Sequence, residues 1–140
     1  MKKFVLRLLL FGSLLTSCNK STVKAPINVS TISGTYTLTD LRMSATGVPE
    51  QDAYNTVQDC EKDDLYEFRT DSSFTRTDAG VVCDSGSEKY EGKWKLEGDQ
   101  ISFYGETGTI TKFDGNTMEV TSTTKDEETT YVVRSTYEKQ

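Results

Sequence analysis

The chain has 140 residues, with 16 basic and 22 acidic side chains, a formal net charge of −6, three cysteines and no histidine. Without histidine, His-based nucleophilic triads and imidazole metal sites are excluded, and the acidic balance leaves no means of displacing the counterions of a nucleic-acid backbone. The length suits one domain and not two.

In chain order, Lys2 and Lys3 precede an apolar run from Phe4 to Leu15, broken by Arg7, Gly12 and Ser13. That run is shorter than the roughly 20 residues a membrane-crossing helix needs, and it ends in Leu15-Thr16-Ser17-Cys18. The ending resembles the lipobox of bacterial lipoproteins. The resemblance implies a cleaved lipoprotein signal peptide over residues 1–17, with acylation (palmitate among the chains) at Cys18. Two or three acyl chains hold a protein on a bilayer where one holds it only marginally. An ordinary secretory signal with a chance cysteine is the alternative. Cleavage would remove Lys2, Lys3 and Arg7 and so take the formal net charge from −6 to −9.

The expected location is the cell envelope, lipid-anchored to the outer membrane and facing the periplasm, with the cell surface as the alternative. The segment Asn19-Lys20-Ser21-Thr22 has no aspartate directly after the cysteine and no acidic run resembling a surface-export tag. Residues 18–31 are polar, rich in Ser, Thr and Lys, and carry Pro26. They read as the lipidated N-terminus and a flexible tether. With Cys18 assigned to lipid, Cys60 and Cys83 remain as an even pair in an oxidising compartment. This argues for a disulfide over two free thiols or a metal pair.

From residue 32 to 140 the composition turns to Thr, Tyr, Phe and Val punctuated by turns, and strands can be read by their period of two. Gly34 to Asp40 places Tyr36 and Leu38 on one face. Leu65 to Thr70 places Tyr66 and Phe68 together, and Asp71-Ser72-Ser73 turns the chain into Phe74 to Thr77. Lys89 to Leu96 sets Tyr90, Gly92, Trp94 and Leu96 against Lys89, Glu91, Lys93 and Lys95. A turn at Glu97-Gly98-Asp99 leads to Ile101 and Phe103, and a turn from Gly105 to Gly108 leads to a strand through Phe113. Asp114-Gly115-Asn116 signals a hairpin into Met118 and Val120, and Thr129 to Tyr137 closes the series with Tyr131, Val133 and Tyr137 on one face.

Eight antiparallel strands, each with one apolar face, predict an all-β, eight-stranded up-and-down barrel, because closure removes exposed edges. A two-sheet sandwich is the rival. Ile110 and Phe113 lie three apart, so one is out of phase unless a bulge intervenes. Arg76 shares the face of Phe74, which puts it at a barrel mouth or in a polar interior. The long connection from Met43 to Asp64 is either a lid or a surface excursion pinned by Cys60.

Several of these residues together are similar to a known family. Ser33-Gly34-Thr35-Tyr36-Thr37-Leu38 resembles the Gly-x-Trp opening of lipocalins, with Tyr36 at the tryptophan's place. Cys60-Glu61-Lys62-Asp63-Asp64, Tyr66-x-Phe68, Asp71 to Phe74, Cys83, Gly92-Lys93-Trp94 and the Tyr131 to Tyr137 strand follow in the order seen in the lipocalin-like domain of small Gram-negative lipoproteins. The resemblance implies a barrel and usually a bridge of the Cys60–Cys83 kind, and it carries no known ligand with it. The short length and the missing tryptophan imply a smaller barrel than a true lipocalin's.

No glycine-rich phosphate loop or dinucleotide fingerprint is present, and the acidic clusters Asp59 to Asp64 and Asp126 to Glu128 fall in expected loops. Asp59 to Asp64 also lacks the spaced ligands and turn glycine of an EF-hand loop. The expectation is therefore a non-enzymatic protein without cofactor or metal. The candidate ligand-binding interior is Tyr36, Phe68, Phe74, Arg76, Trp94, Phe103 and Tyr131, for a small hydrophobic or amphipathic ligand, with Arg76 as the charged group. Two readings of that set stay open: the aromatics fill a packed core, or they line a cavity. In the first, the barrel is a protein-interaction or accessory subunit of the envelope.

Overall fold

The structure, a computed structural model, describes residues 25–83 and 89–140. The expected signal peptide over 1–17 and lipidated Cys18 lie outside the described residues. Ten antiparallel strand segments form one sheet: β1 (Gly34–Ala45), β2 (Val48–Asp52), β3 (Leu65–Phe68), β4 (Ser73–Thr77), β5 (Lys89–Lys93), β6 (Lys95–Glu97), β7 (Gln100–Phe103), β8 (Glu106–Phe113), β9 (Thr117–Asp126) and β10 (Thr129–Lys139).

Hydrogen bonding runs in the order β5-β4-β3-β1-β10-β9-β8-β7-β6, with β2 attached to β1 off that path. The two ends of the path are consecutive in the chain and separated only by Trp94. They are one bent strand, whose first part pairs with β4 and whose second part pairs with β7. The covalent chain thus nearly closes the barrel, and its staves number eight when β5 and β6 are taken together. The bend has a local cause. The Trp94 backbone N–H donates to the Ser72 carbonyl at 3.0 Å, and its indole Nε1 donates to the Arg69 carbonyl at 2.8 Å, so the residue leaves the ladder to bury its ring.

The phase problem on β8 is resolved by a bulge between Ile110 and Lys112, and both Ile110 and Phe113 are buried. A second bulge lies between Leu38 and Asp40 on β1. The Asp114 side chain accepts from the backbone N–H groups of Asn116 at 2.9 Å and Thr117 at 2.7 Å, which ties the β8–β9 hairpin. β2 falls within the long connection and every residue of it is exposed. Beyond β2 the connection passes through two short 3-10 turns, Tyr54–Thr56 and Asp59–Glu61. It is fastened by the Tyr54 hydroxyl donating to the Leu38 carbonyl at 3.1 Å and by the Cys60–Cys83 disulfide, whose Cα atoms are 5.3 Å apart.

One end of the barrel is shut. There a single helical turn, α1 (Val29–Ile32), is capped by Asn28, whose side chain accepts from the Thr31 N–H while the Thr31 hydroxyl accepts from the Asn28 N–H. It drives Ile32 into the core, where the Tyr36 hydroxyl donates to the Ile32 carbonyl at 2.8 Å. The Ala25 N–H donates to the Phe113 carbonyl at 3.2 Å, and Lys139 Nζ donates to the Thr31 carbonyl at 3.1 Å. The tether expected over 18–31 is corrected accordingly: from Ala25 onward the chain is docked on the barrel, because a capping box and one buried isoleucine outweigh its polar composition.

Candidate functional site

The inward face divides into two zones. The first is a solid plug centred on Phe68, whose ring meets Tyr36 at 5.7 Å, Phe74 at 5.2 Å, Trp94 at 5.4 Å and Phe103 at 4.9 Å between centroids. Most of these contacts are edge-to-face, the geometry the ring quadrupoles prefer. Tyr36, Phe68, Phe74 and Trp94 are therefore core.

The second zone is a cavity of about 320 Å³ at the other end of the barrel, at the lower bound of small-ligand pockets. Strand pairing builds it. Val120, Ser122 and Thr124 alternate on β9, opposite Val133, Ser135 and Tyr137 on β10, with Val120 facing Ser135 and Ser122 facing Val133. Tyr66 comes from β3, Phe103 from β7 and Glu106 from the start of β8. Gly108 completes the wall. A Cβ at that position would lie 2.5 Å from Val120 Cγ1 and 2.8 Å from Ser122 Oγ, so glycine is what lets β8 and β9 pack there without overlap. Tyr104 sits in the β7–β8 turn with φ of 54°.

A smaller recess of about 230 Å³ shares Tyr66 and Tyr104 with the cavity and adds Leu38, Val57, Glu61 and Arg76. Arg76 is not available as an anion receptor. Its Nε donates to Asp64 Oδ2 at 2.7 Å, its Nη2 pairs with the same oxygen, and Glu61 lies 3.9 Å away. Asp64 is 1% exposed. Burial pushes its carboxyl above the usual aspartate range, while the Arg76 guanidinium opposes that shift. Arg76 Nη1 also donates to the Tyr104 hydroxyl at 3.2 Å, and the guanidinium lies 5.5 Å from that ring's centre. Burial raises the phenols of Tyr66 and Tyr137 as well, so both remain neutral hydrogen-bonding groups.

Residues 32–127 match the family model of the lipocalin-like domain. The chain belongs to this family. No curated protein and no solved structure matches the chain. The lipocalin-like fold is a binding fold, and in this lipocalin-like barrel the cavity lies at the open end, away from α1. Among the described residues no group of three thiolate or carboxylate side chains is placed to hold a metal ion.

Of the residues expected at the ligand site, Phe103 lines the cavity and Arg76 its neighbouring recess. Tyr36, Phe68, Phe74 and Trp94 lie in the plug. Tyr131 is 41% exposed and stands at the rim, paired with Thr124 and Ala45, where it lines an outer groove with Met43 and Val48 and not the cavity. The period of two gives Tyr131 the correct face, but β1, β9 and β10 run past the barrel rim. Reading the sequence missed Tyr104, Glu106, Ser122 and Ser135. The inward phase of Ser122 and Ser135 followed from Val120 and Val133 two residues away. Tyr104 lies in, and Glu106 directly after, a turn that starts one residue and ends three residues earlier than expected.

Proposed function

We propose that this lipocalin-like protein is a non-enzymatic binding module for a small amphipathic ligand. It is anchored through lipid on Cys18 in a Gram-negative cell envelope, on the periplasmic face of the outer membrane. The observation that carries the binding role is the open-end cavity above a filled core, where hydroxyls and rings converge. Such a mixture of apolar wall and few polar groups suits a ligand with a hydrophobic body and one polar head. The lipid anchor rests on the Leu15-to-Cys18 sequence, and Cys18→Ala should release the protein from membranes.

Native mass spectrometry of the protein purified gently from its own envelope tests the binding role, with a retained small molecule as the expected result. A ligand-free protein that also ignores a broad panel of amphipathic probes would overturn it. Tyrosine signals report binding better than Trp94, which is packed in the plug. The accessory-subunit alternative is favoured by one observation, the exposed groove of about 340 Å³ that Met43, Val48 and Tyr131 form beside β2. Stoichiometric co-purification of a second envelope protein would support it.

A further inference from the structure

Among the described residues, the open-end cavity has one acidic or basic lining residue, Glu106. It opposes Phe103 in the β7–β8 register and is in phase with Gly108 and Ile110, both buried, so its carboxylate belongs to the inward face at the rim. Four rings stand around the same space. Tyr66 and Tyr137 meet edge-to-face at 5.4 Å, Phe103 and Tyr137 at 6.0 Å, and Tyr104 faces the mouth. Tyr104 is held at positive φ in a two-residue turn where asparagine or glycine ordinarily sits, a costly conformation for a bulky side chain. It is nevertheless 41% exposed, so burial does not repay that cost.

The charges exclude the simplest other occupant. An anion would have to take Arg76 from Asp64, and would leave a buried carboxylate unpaired. It would also meet Glu106 and Glu61. A cation meets aromatic rings, whose quadrupoles attract positive charge, and a carboxylate that balances it; Arg76, which already sits against Tyr104, is itself neutralised by Asp64. The net negative charge of the chain steers cations toward it from solution.

We infer that the open end of the barrel is an organic-ammonium site: Tyr66, Phe103, Tyr104 and Tyr137 take the cationic head of an amphipathic amine and Glu106 neutralises it. This deepens, and rests on, the small-ligand reading above. The test titrates the full chain with phenethylammonium, its neutral counterpart phenylethanol, and phenylacetate, followed by NMR shifts of the cavity residues. The ammonium should bind about tenfold more tightly than the alcohol at low salt, and phenylacetate least tightly. Glu106→Gln, a change at an exposed rim position, should cut the ammonium-over-alcohol preference measured in that same variant from about tenfold to near unity. Tyr104→Leu should weaken the ammonium more than the alcohol. Equal or stronger binding of the alcohol or of phenylacetate, or an unaltered preference in Glu106→Gln, overturns the ammonium site and leaves the small-ligand reading standing. Failure of all three probes to shift any cavity residue removes the ammonium site, and the small-ligand reading falls with it only if the natively purified protein is also ligand-free and ignores the broad probe panel.

Discussion

At the shut end of the barrel Phe68 touches four aromatic rings within 5.7 Å, whereas at the open end Tyr66 and Tyr137 border a space of about 320 Å³. Both zones use inward positions of the same strands. What changes is the residue type at successive inward positions. Along β9 the series passes from Met118 through Val120 to Ser122 and Thr124, and along β10 from Tyr137 through Ser135 to Val133. Small and hydroxyl-bearing side chains replace large apolar ones toward the mouth, and Ser135 hydrogen-bonds the Tyr137 phenol there. A barrel this small is thus filled at one end and hollow at the other.

The largest expected effect tests the plug. Phe68→Ala should cost about 3–5 kcal/mol of stability, as deletion of a buried aromatic does, read by urea unfolding. A loss no greater than that of a cavity-wall substitution would mean that the two ends are equally packed. Next is the clamp beside the mouth. Replacing Cys60 and Cys83 by serine should cost about 3 kcal/mol in the chain-entropy model. Hydrogen exchange should quicken around the open end and stay unchanged around Phe113, and uniform quickening would show that the bridge serves the whole barrel.

A titration spans both zones. Burial pushes the phenol of Tyr36, in the plug, up to about 12, and it also raises Tyr66 and Tyr137 at the mouth. A phenol raised above its ordinary value of 10.0 holds its proton better folded than unfolded. Its contribution is therefore complete below that value and is lost as pH rises through the folded one. Spectrophotometric titration should show these three phenols ionising later than exposed tyrosines, together with alkaline destabilisation that Tyr137→Phe reduces. Simultaneous ionisation of all seven tyrosines in the folded protein would contradict their burial. The smallest effect on stability belongs to Ser135→Val, which should change it by less than about 1 kcal/mol while weakening ligand binding by filling the space. A loss of several kcal/mol would show that the cavity wall is core after all.

The eight staves were legible because each carries its apolar residues at a period of two, and the Ile110–Phe113 spacing announced the bulge at Thr111. β2 was not legible, since none of its residues is buried and no periodicity marks it. For the site, periodicity identified the inward face but not depth along the barrel axis. Depth follows from register and strand tilt, and it separates Phe68 from Tyr66 and moves Tyr131 outside. Arg76 was visible as an inward charge, but its partner Asp64 lies on another segment, 12 residues earlier. The site's remaining charge, Glu106, lay hidden beside a turn.

The docking of Ala25 against Phe113 also sets an orientation. The chain reaches the barrel at its shut end, so the anchor proposed at Cys18 would hold that end toward the bilayer. Seven residues from Cys18 to Ala25 span at most about 25 Å when extended, which would keep such an anchor close to the barrel. The mouth would then open away from the lipid. A ligand would be gathered from the aqueous compartment and not extracted from the membrane beneath.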